Sequence, residues 1–200
     1  FNTGTSVSIT NFTAATYGSI SKLKISNNTN VTINAGSSQT LTITSVNGID
    51  ADLEINAGSS LITQASRVNI TLGASTTADI SGTLTINSGT TYNTDAANAV
   101  TTISGTLNCY GTVTSTASAR IIVTSGGVYN HAVNGGTVPK ATWNTNSKLL
   151  ISGITTALSV DGLGQHFSKL EYNCPLQNNN VAGESKVFVL GAYSGAAEGD

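Results

Sequence analysis

Charge is what this 200-residue chain has least of. Its 8 Lys and Arg and 10 Asp and Glu make up 9% of the residues, against about 25% in an ordinary soluble domain. The net charge is −2 and no Lys/Arg cluster occurs, so the basic footprint of a nucleic-acid binder is absent. No polybasic segment marks a membrane surface, and no apolar run approaches the ~20 residues that span a bilayer, so membrane insertion is not expected. Methionine is missing and the chain starts at Phe1 without a signal peptide, which reads as a mature, processed or trimmed form. Cysteine is limited to Cys109 and Cys174. An oxidising compartment could join this even pair, but two separate buried thiols are the slightly favoured reading. Helix periodicity is lacking too: no window of a dozen residues repeats its apolar positions every 3.6 residues.

Thr, Ser, Asn, Gly and Ala take the place of charge. A polar, low-complexity chain invites a reading of disorder. That reading fails because the apolar residues are β-branched or Leu and fall in short alternating runs. Val31-Thr32-Ile33, Leu41-Thr42-Ile43, Leu53-Glu54-Ile55 and Leu84-Thr85-Ile86 each send their first and third side chains one way and the middle one the other. A corner motif follows most of them: INAGSS from Ile33 and again from Ile55, ITLGAS from Ile70, INSGTT from Ile86, and weaker forms from Cys109 and Val123. Gly supplies a positive-φ turn there, and Asn tolerates the same region. Short strands closed by a recurring corner predict an all-β chain, a parallel β-helix or β-solenoid of Gly-cornered rungs. An antiparallel sandwich is the alternative, but it gives strands ~8–12 residues apart without a fixed corner.

The end of the chain repeats its beginning. Residues 1–15, FNTGTSVSITNFTAA, match 143–157, WNTNSKLLISGITTA, in a register of 143 − 1 = 142. The match continues from Ile20 onto Phe167 in a register of 167 − 20 = 147, pairing Leu23 with Leu170 and Ile25 with Tyr172. Three segments follow: N-terminal rungs over 1–48, central solenoid rungs over 49–134, and a C-terminal copy with aromatic-rich strands over 135–200. Segments 1–25 and 143–174 lack the corner motif and read as broader rungs or a cap. Gly135-Gly136-Thr137-Val138-Pro139-Lys140 is the clearest loop.

The sequence carries no recognisable catalytic or metal-binding pattern. The carboxylates are scattered, whereas polysaccharide-cleaving β-helices need them clustered. Asp50, Asp52 and Glu54 alternate and could share one strand face, but Ca²⁺ needs six to eight oxygens, so a solvated face is favoured. His131 and His166 have no Cys or carboxylate at ligand spacing. His131 reads as a packed, hydrogen-bonded residue and His166 as exposed. No nucleophile elbow or phosphate loop occurs, and no cofactor is expected. The N-x-Ser/Thr triplets at Asn11, Asn27, Asn30 and Asn69 arise by chance in so Asn- and Thr-rich a chain.

The run GGVYNHAVNGGTVPKATWNTNSKLLISGITT (126–156), continued by GQHFSKLEYNCP (164–175), resembles a repeat module of large secreted surface proteins of Bacteroidetes bacteria. The matching positions are Gly127, Tyr129, His131, Gly135, Gly136, Pro139, Trp143, Asn144, Ser147, Ile151, Gly153, Ile154, Tyr172, Asn173, Cys174 and Pro175. The resemblance implies an extracellular or cell-surface, repetitive, adhesin-like protein, and it carries no catalytic residue.

The expected function is therefore structural and not enzymatic: a subunit of a bacterial surface filament that joins copies of itself head to tail. Phe1, Val7, Ile9 and Phe12 would meet Val187, Phe188, Val189 and Leu190 of a neighbour, one strand extending the next copy's sheet. The alternative is an adhesin or glycan-binding module, with Trp143, Tyr110, Tyr129 or Tyr172 stacking on surface sugars, Trp143 and Tyr129 foremost. Ice binding, suggested by Thr-x-Thr steps such as Thr42–Thr44, ranks low because the spacings are irregular.

Overall fold

The computed structural model describes residues 1–13, 18–45, 50–156, 159–178 and 189–190. It is a three-faced parallel β-solenoid of about seven turns. The first face stacks β1 (Ser6–Ile9), β4 (Asn30–Ile33), β7 (Ser60–Thr63), β10 (Thr83–Ile86), β13 (Thr106–Cys109), β16 (Val128–His131), β18 (Lys148–Ile151) and β20 (Lys169–Tyr172). The second stacks β2 (Ser19–Ile20), β5 (Gln39–Ile43), β8 (Val68–Leu72), β11 (Thr91–Asn93) and β14 (Thr112–Thr114). The third stacks β3 (Leu23–Ile25), β6 (Leu53–Ile55), β9 (Thr77–Ile80), β12 (Val100–Ile103), β15 (Ile121–Val123) and β17 (Thr142–Trp143). Further along, β19 (Ser159–Val160) pairs with β21 (Val189–Leu190). The ladders run past residues 48 and 134 without a break.

The three-residue code in–out–in builds every face. On the first, one inward column runs Val7, Val31, Leu61, Leu84, Leu107, Tyr129, Leu149, Leu170. The interior members are fully or almost fully buried, each worth about 1.5–3 kcal/mol of apolar transfer. Faces also compensate for one another in volume. Tyr92 points inward from the second face toward the small Ala78 and Thr101 of the third, and its hydroxyl lies 2.7 Å from Thr101 Oγ1. A buried tyrosine needs such a partner.

Two kinds of corner turn the chain. In the longer kind a residue with positive φ sits two places ahead of the strand: Gly4, Asn28, Gly58, Ser66, Ser75, Gly89, Asn98, Gly126 and Asn146. The next residue is often a small hydroxyl turned inward, as at Thr29, Thr76 and Thr90. Thr29 Oγ1 accepts the Thr3 and Gly4 amides at 2.9 and 3.0 Å, satisfying groups that no ladder reaches. The short kind is X-Gly between strands, at Gly82, Gly105 and Gly111. There the chain lies so close to the turn below that a Cβ on Gly105 would stand 2.1 Å from the Gly82 carbonyl oxygen.

Several expectations change. The corner motif does not recur once per turn: Ile33 and Ile86 are on the first face, Ile55 on the third and Ile70 on the second. First-face strands begin at 6, 30, 60, 83, 106, 128, 148 and 169, so a turn takes 20 to 30 residues and carries several corners. The described residues of segments 1–25 and 143–174 supply strands to the same three faces: β1, β2 and β3 from the first, β17, β18 and β20 from the second. The 142 register is real in three dimensions, since Val7 and Ile9 of β1 match Leu149 and Ile151 of β18, with Gly4 and Asn146 both at positive φ. The 147 register slips by one face: Leu23–Ile25 lies on the third, Leu170–Tyr172 on the first. Residues 135–140 replace a second-face strand, with Thr137 bridged to Asp161.

Gly105→Ala should therefore cost about 2–3 kcal/mol and lower Tm by about 5–10 °C. Gly36→Ala, with open space around it, should leave Tm within a degree or two of the parent. Equal melting curves for the two variants would contradict the close-approach account of the short corners.

Candidate assembly interface

The two ends of the coil are where its regularity leaves chemistry unsatisfied. β1, β2 and β3 are the terminal strands of their sheets, each with one ladder edge unpaired by its sheet. Phe1 partly covers β3: its amino group donates to the Lys24 carbonyl at 2.6 Å, and the Ser26 amide donates to its carbonyl at 2.9 Å. Phe1 thus stands where the last residue of a preceding third-face strand would stand. That is also the place of its sequence match Trp143 in β17, one corner ahead of β18.

Above this first rung the core is open. Val7 and Ile9 are half-buried although Val31 and Ile33, one turn in, are 0% and 2% exposed. Phe1, Ile9, Phe12, Ile20, Leu23 and Leu41 line an apolar cleft of about 470 Å³, with the Phe1 ring 43% exposed and Phe12 buried at its floor. At the other end β20 repeats the situation. Leu170 and Tyr172 continue the columns of the fully buried Leu149 and Ile151, yet they are 45% and 36% exposed. Each of these uncovered pairs sits in a position that the interior of the coil keeps dry.

The other expected contributors fall as follows. Val189 and Leu190 form β21, which pairs with β19 and is the terminal strand of that sheet, while Val187 and Phe188 lie outside the described residues. Tyr129 is 1% exposed, so its ring does not reach a sugar; it belongs to the core because its strand position points inward. Trp143 is half-buried, edge-on to Tyr129 (centroids 6.4 Å, 89°) and to Phe167 (4.9 Å, 70°), with its Nε1–H donating to Gln165 Oε1 at 3.3 Å. Its two aromatic contacts and this hydrogen bond hold the ring against the third-face end of the coil.

A bond between Cys109 and Cys174 is also excluded. Cys109 is level with His131, then Ile151, then Tyr172, so three strand spacings of ~4.8 Å separate it from the turn holding Cys174. A disulfide needs Cα atoms within about 7 Å. Both thiols are free and buried. Burial pushes the Cys109 thiol up, opposed by the Tyr129 hydroxyl beside it.

Asp50 and Glu54 are tied to Lys22 and Lys24 at 3.1 and 2.7 Å, whereas Asp52 is buried and accepts the Thr77 amide at 2.8 Å. The three do not share one face. Among the described residues no three His, Cys, Asp or Glu side chains come together. His166 is exposed. His131 is buried, with Nε2 2.7 Å from the Gly135 carbonyl, donating to it in that tautomer. Sequence reasoning missed Leu170, Tyr172 and Ile20 as end residues, although the in–out–in pattern of SKLEY already placed Leu170 and Tyr172 on one side.

Burial holds the His131 imidazole below its ordinary value of 6.5, the Gly135 carbonyl opposing this. The unfolded chain takes up a proton below pH 6.5 that the folded chain refuses. The stability tied to neutral His131 is therefore complete above that pH and lost as pH falls through the window beneath it. Urea unfolding between pH 7 and 5 should show this decline in the parent and a shallower one in His131→Gln; identical slopes would contradict the assignment. Comparison with protein-family models found no match, and comparisons with curated proteins and with solved structures found none either.

Proposed function

We propose that this chain is a non-enzymatic structural protein, a filament subunit that stacks on copies of itself end to end. The observation that carries the reading is the pair of uncovered apolar columns. Val7 and Ile9 on β1, and Leu170 and Tyr172 on β20, belong to one first-face register. Laying one copy's β1 on another's β20 would continue both the ladder and the column. The chain supports this internally, because a β1-like rung, β18, already sits between β16 and β20.

The neutral, hydroxyl-rich composition and the resemblance to secreted surface modules of Bacteroidetes support a bacterial cell-surface or extracellular location. A glycan-binding adhesin remains the second reading. The exposed Tyr110, at a corner after β13 and 46% accessible, is the ring that favours it, in place of Tyr129 and Trp143.

Replacing Val7 and Ile9 by Asp removes two apolar contacts worth together about 3 kcal/mol or more, so the critical concentration for assembly should rise about a hundredfold. Leu170→Asp should act in the same direction, and circular dichroism should confirm that all variants keep their strands. Sedimentation measures the polymer fraction. Unchanged assembly in a chain lacking residues 1–12 would rule out this joint.

A further inference from the structure

The second face differs from the other two in what it turns outward. Its outward residues in β5, β8, β11 and β14 form two files. One file is Thr40, Asn69, Thr91 and Thr112; the other is Thr42, Thr71, Asn93 and Thr114. Each member lies level with the next along the coil, and each is at least partly exposed. Along the chain the members of a file are 69 − 40 = 29, 91 − 69 = 22 and 112 − 91 = 21 residues apart, the irregularity that counted against an ice-binding ladder in the sequence. In space it disappears, because the corners take up the extra residues while the strands stay in register. No charged residue falls within the second-face strands, and their one aromatic residue, Tyr92, points inward. By contrast the third face turns out Lys24, Glu54 and Asp79, and the first Lys148, Lys169 and Glu171. The files are also stiff. Threonine is β-branched and holds few χ1 states. Thr114 Oγ1 donates to Asn93 Oδ1 at 2.9 Å, and Asn69 Oδ1 accepts the Thr91 amide at 2.8 Å.

An uncharged array that repeats in two directions is complementary to a solid with a repeat of its own. We propose that the second face binds ice, its threonine hydroxyls taking the places of lattice waters. Rungs repeat at ~4.8 Å. Hydrogen-bonded oxygens lie ~2.8 Å apart, and tetrahedral linkage then puts the second-neighbour oxygens of ice about 4.6 Å apart. Over the three spacings of a file the mismatch grows to only about 0.6 Å, so a column of hydroxyls can follow a row of lattice oxygens. The second file stands two residues along each strand, about 6.6 Å away, and fixes the orientation of the first. A hydroxyl donates and accepts as a lattice water does, and the threonine methyl beside it gains by leaving liquid water. A calcium mineral would call for carboxylates, and a crystalline polysaccharide for exposed rings to stack on. This face offers neither.

The test is the growth of a single ice crystal in a solution of the intact chain, held just below the melting point. The parent should halt growth over a measurable temperature interval, with faceting, and should arrest recrystallisation in a frozen film. The array is complete within one copy, so a chain carrying Val7→Asp and Ile9→Asp should do the same, which separates ice binding from filament formation. Thr71→Lys, in the middle of the array, should abolish the interval. Thr85→Lys, outward on the first face, should leave it unchanged, with circular dichroism confirming the strands of both. No interval and unrestrained recrystallisation in the parent would overturn the proposal, as would equal losses in the two lysine variants. Retention on crystalline cellulose without any effect on ice would also overturn it and assign the face to a polysaccharide.

Discussion

Every rung of this solenoid must present to its neighbour, about 4.8 Å away, a side chain that tolerates its own counterpart. That constraint explains the composition. Like charges repeated at such a spacing repel, so the outward ladders use groups that hydrogen-bond to their own kind. Asn130 donates to Asn108 at 3.0 Å and Ser152 to Asn130 at 2.6 Å, while Ser60 donates to Asn30 at 2.7 Å and Ser104 to Ser81 at 3.0 Å. Where charge does appear, ion pairs cross between turns, as in Lys24 with Glu54 and Lys148 with Glu171, although Glu54 is also level with Asp79 and Lys148 with Lys169. A charge content of 9% is what this stacking selects.

Inside, Ser59 Oγ, Tyr129 Oη, His131 Nδ1 and Ser147 Oγ are buried without a hydrogen bond, while several polar groups take a cross-turn or corner partner. Thr63 shows how. Its Oγ1 lies 3.1 Å from Thr90 Oγ1 and accepts the Asn87 amide at 3.1 Å, so a hydroxyl replaces isoleucine in the column of Ile33 and Ile86 without an orphaned group. Thr101 serves Tyr92 in the same way. Bulk on one face is offset by smallness on another, and for that reason the columns are not uniform.

The fold class was legible because in–out–in triplets and positive-φ corners are local signals. The faces were not. All three use one strand-and-corner code, so a match such as Leu23 with Leu170 says that both point inward and says nothing about which sheet holds them. The corner residues were half legible: glycines stood out, while Ser66, Ser75 and Asn98 take the same backbone shape without the glycine flag. The segment 135–140, which stands in place of a second-face strand, read only as a loop. In the candidate interface, Phe1, Val7, Ile9 and Phe12 were recognisable as a terminal apolar strand. The exposure of Leu170 and Tyr172 depends on what lies above them, which no local pattern encodes.

End-to-end stacking follows from the same template rule if the first and last rungs obey it between copies as β1 and β4 do within one. Electron microscopy of the purified chain, with the axial repeat read from filament images, tests this most directly. The eight first-face rungs among the described residues at ~4.8 Å give a subunit repeat of about 38 Å along unbranched filaments. Discrete rods of single-copy length at every concentration, or filaments whose repeat bears no relation to the rung spacing, would contradict the account.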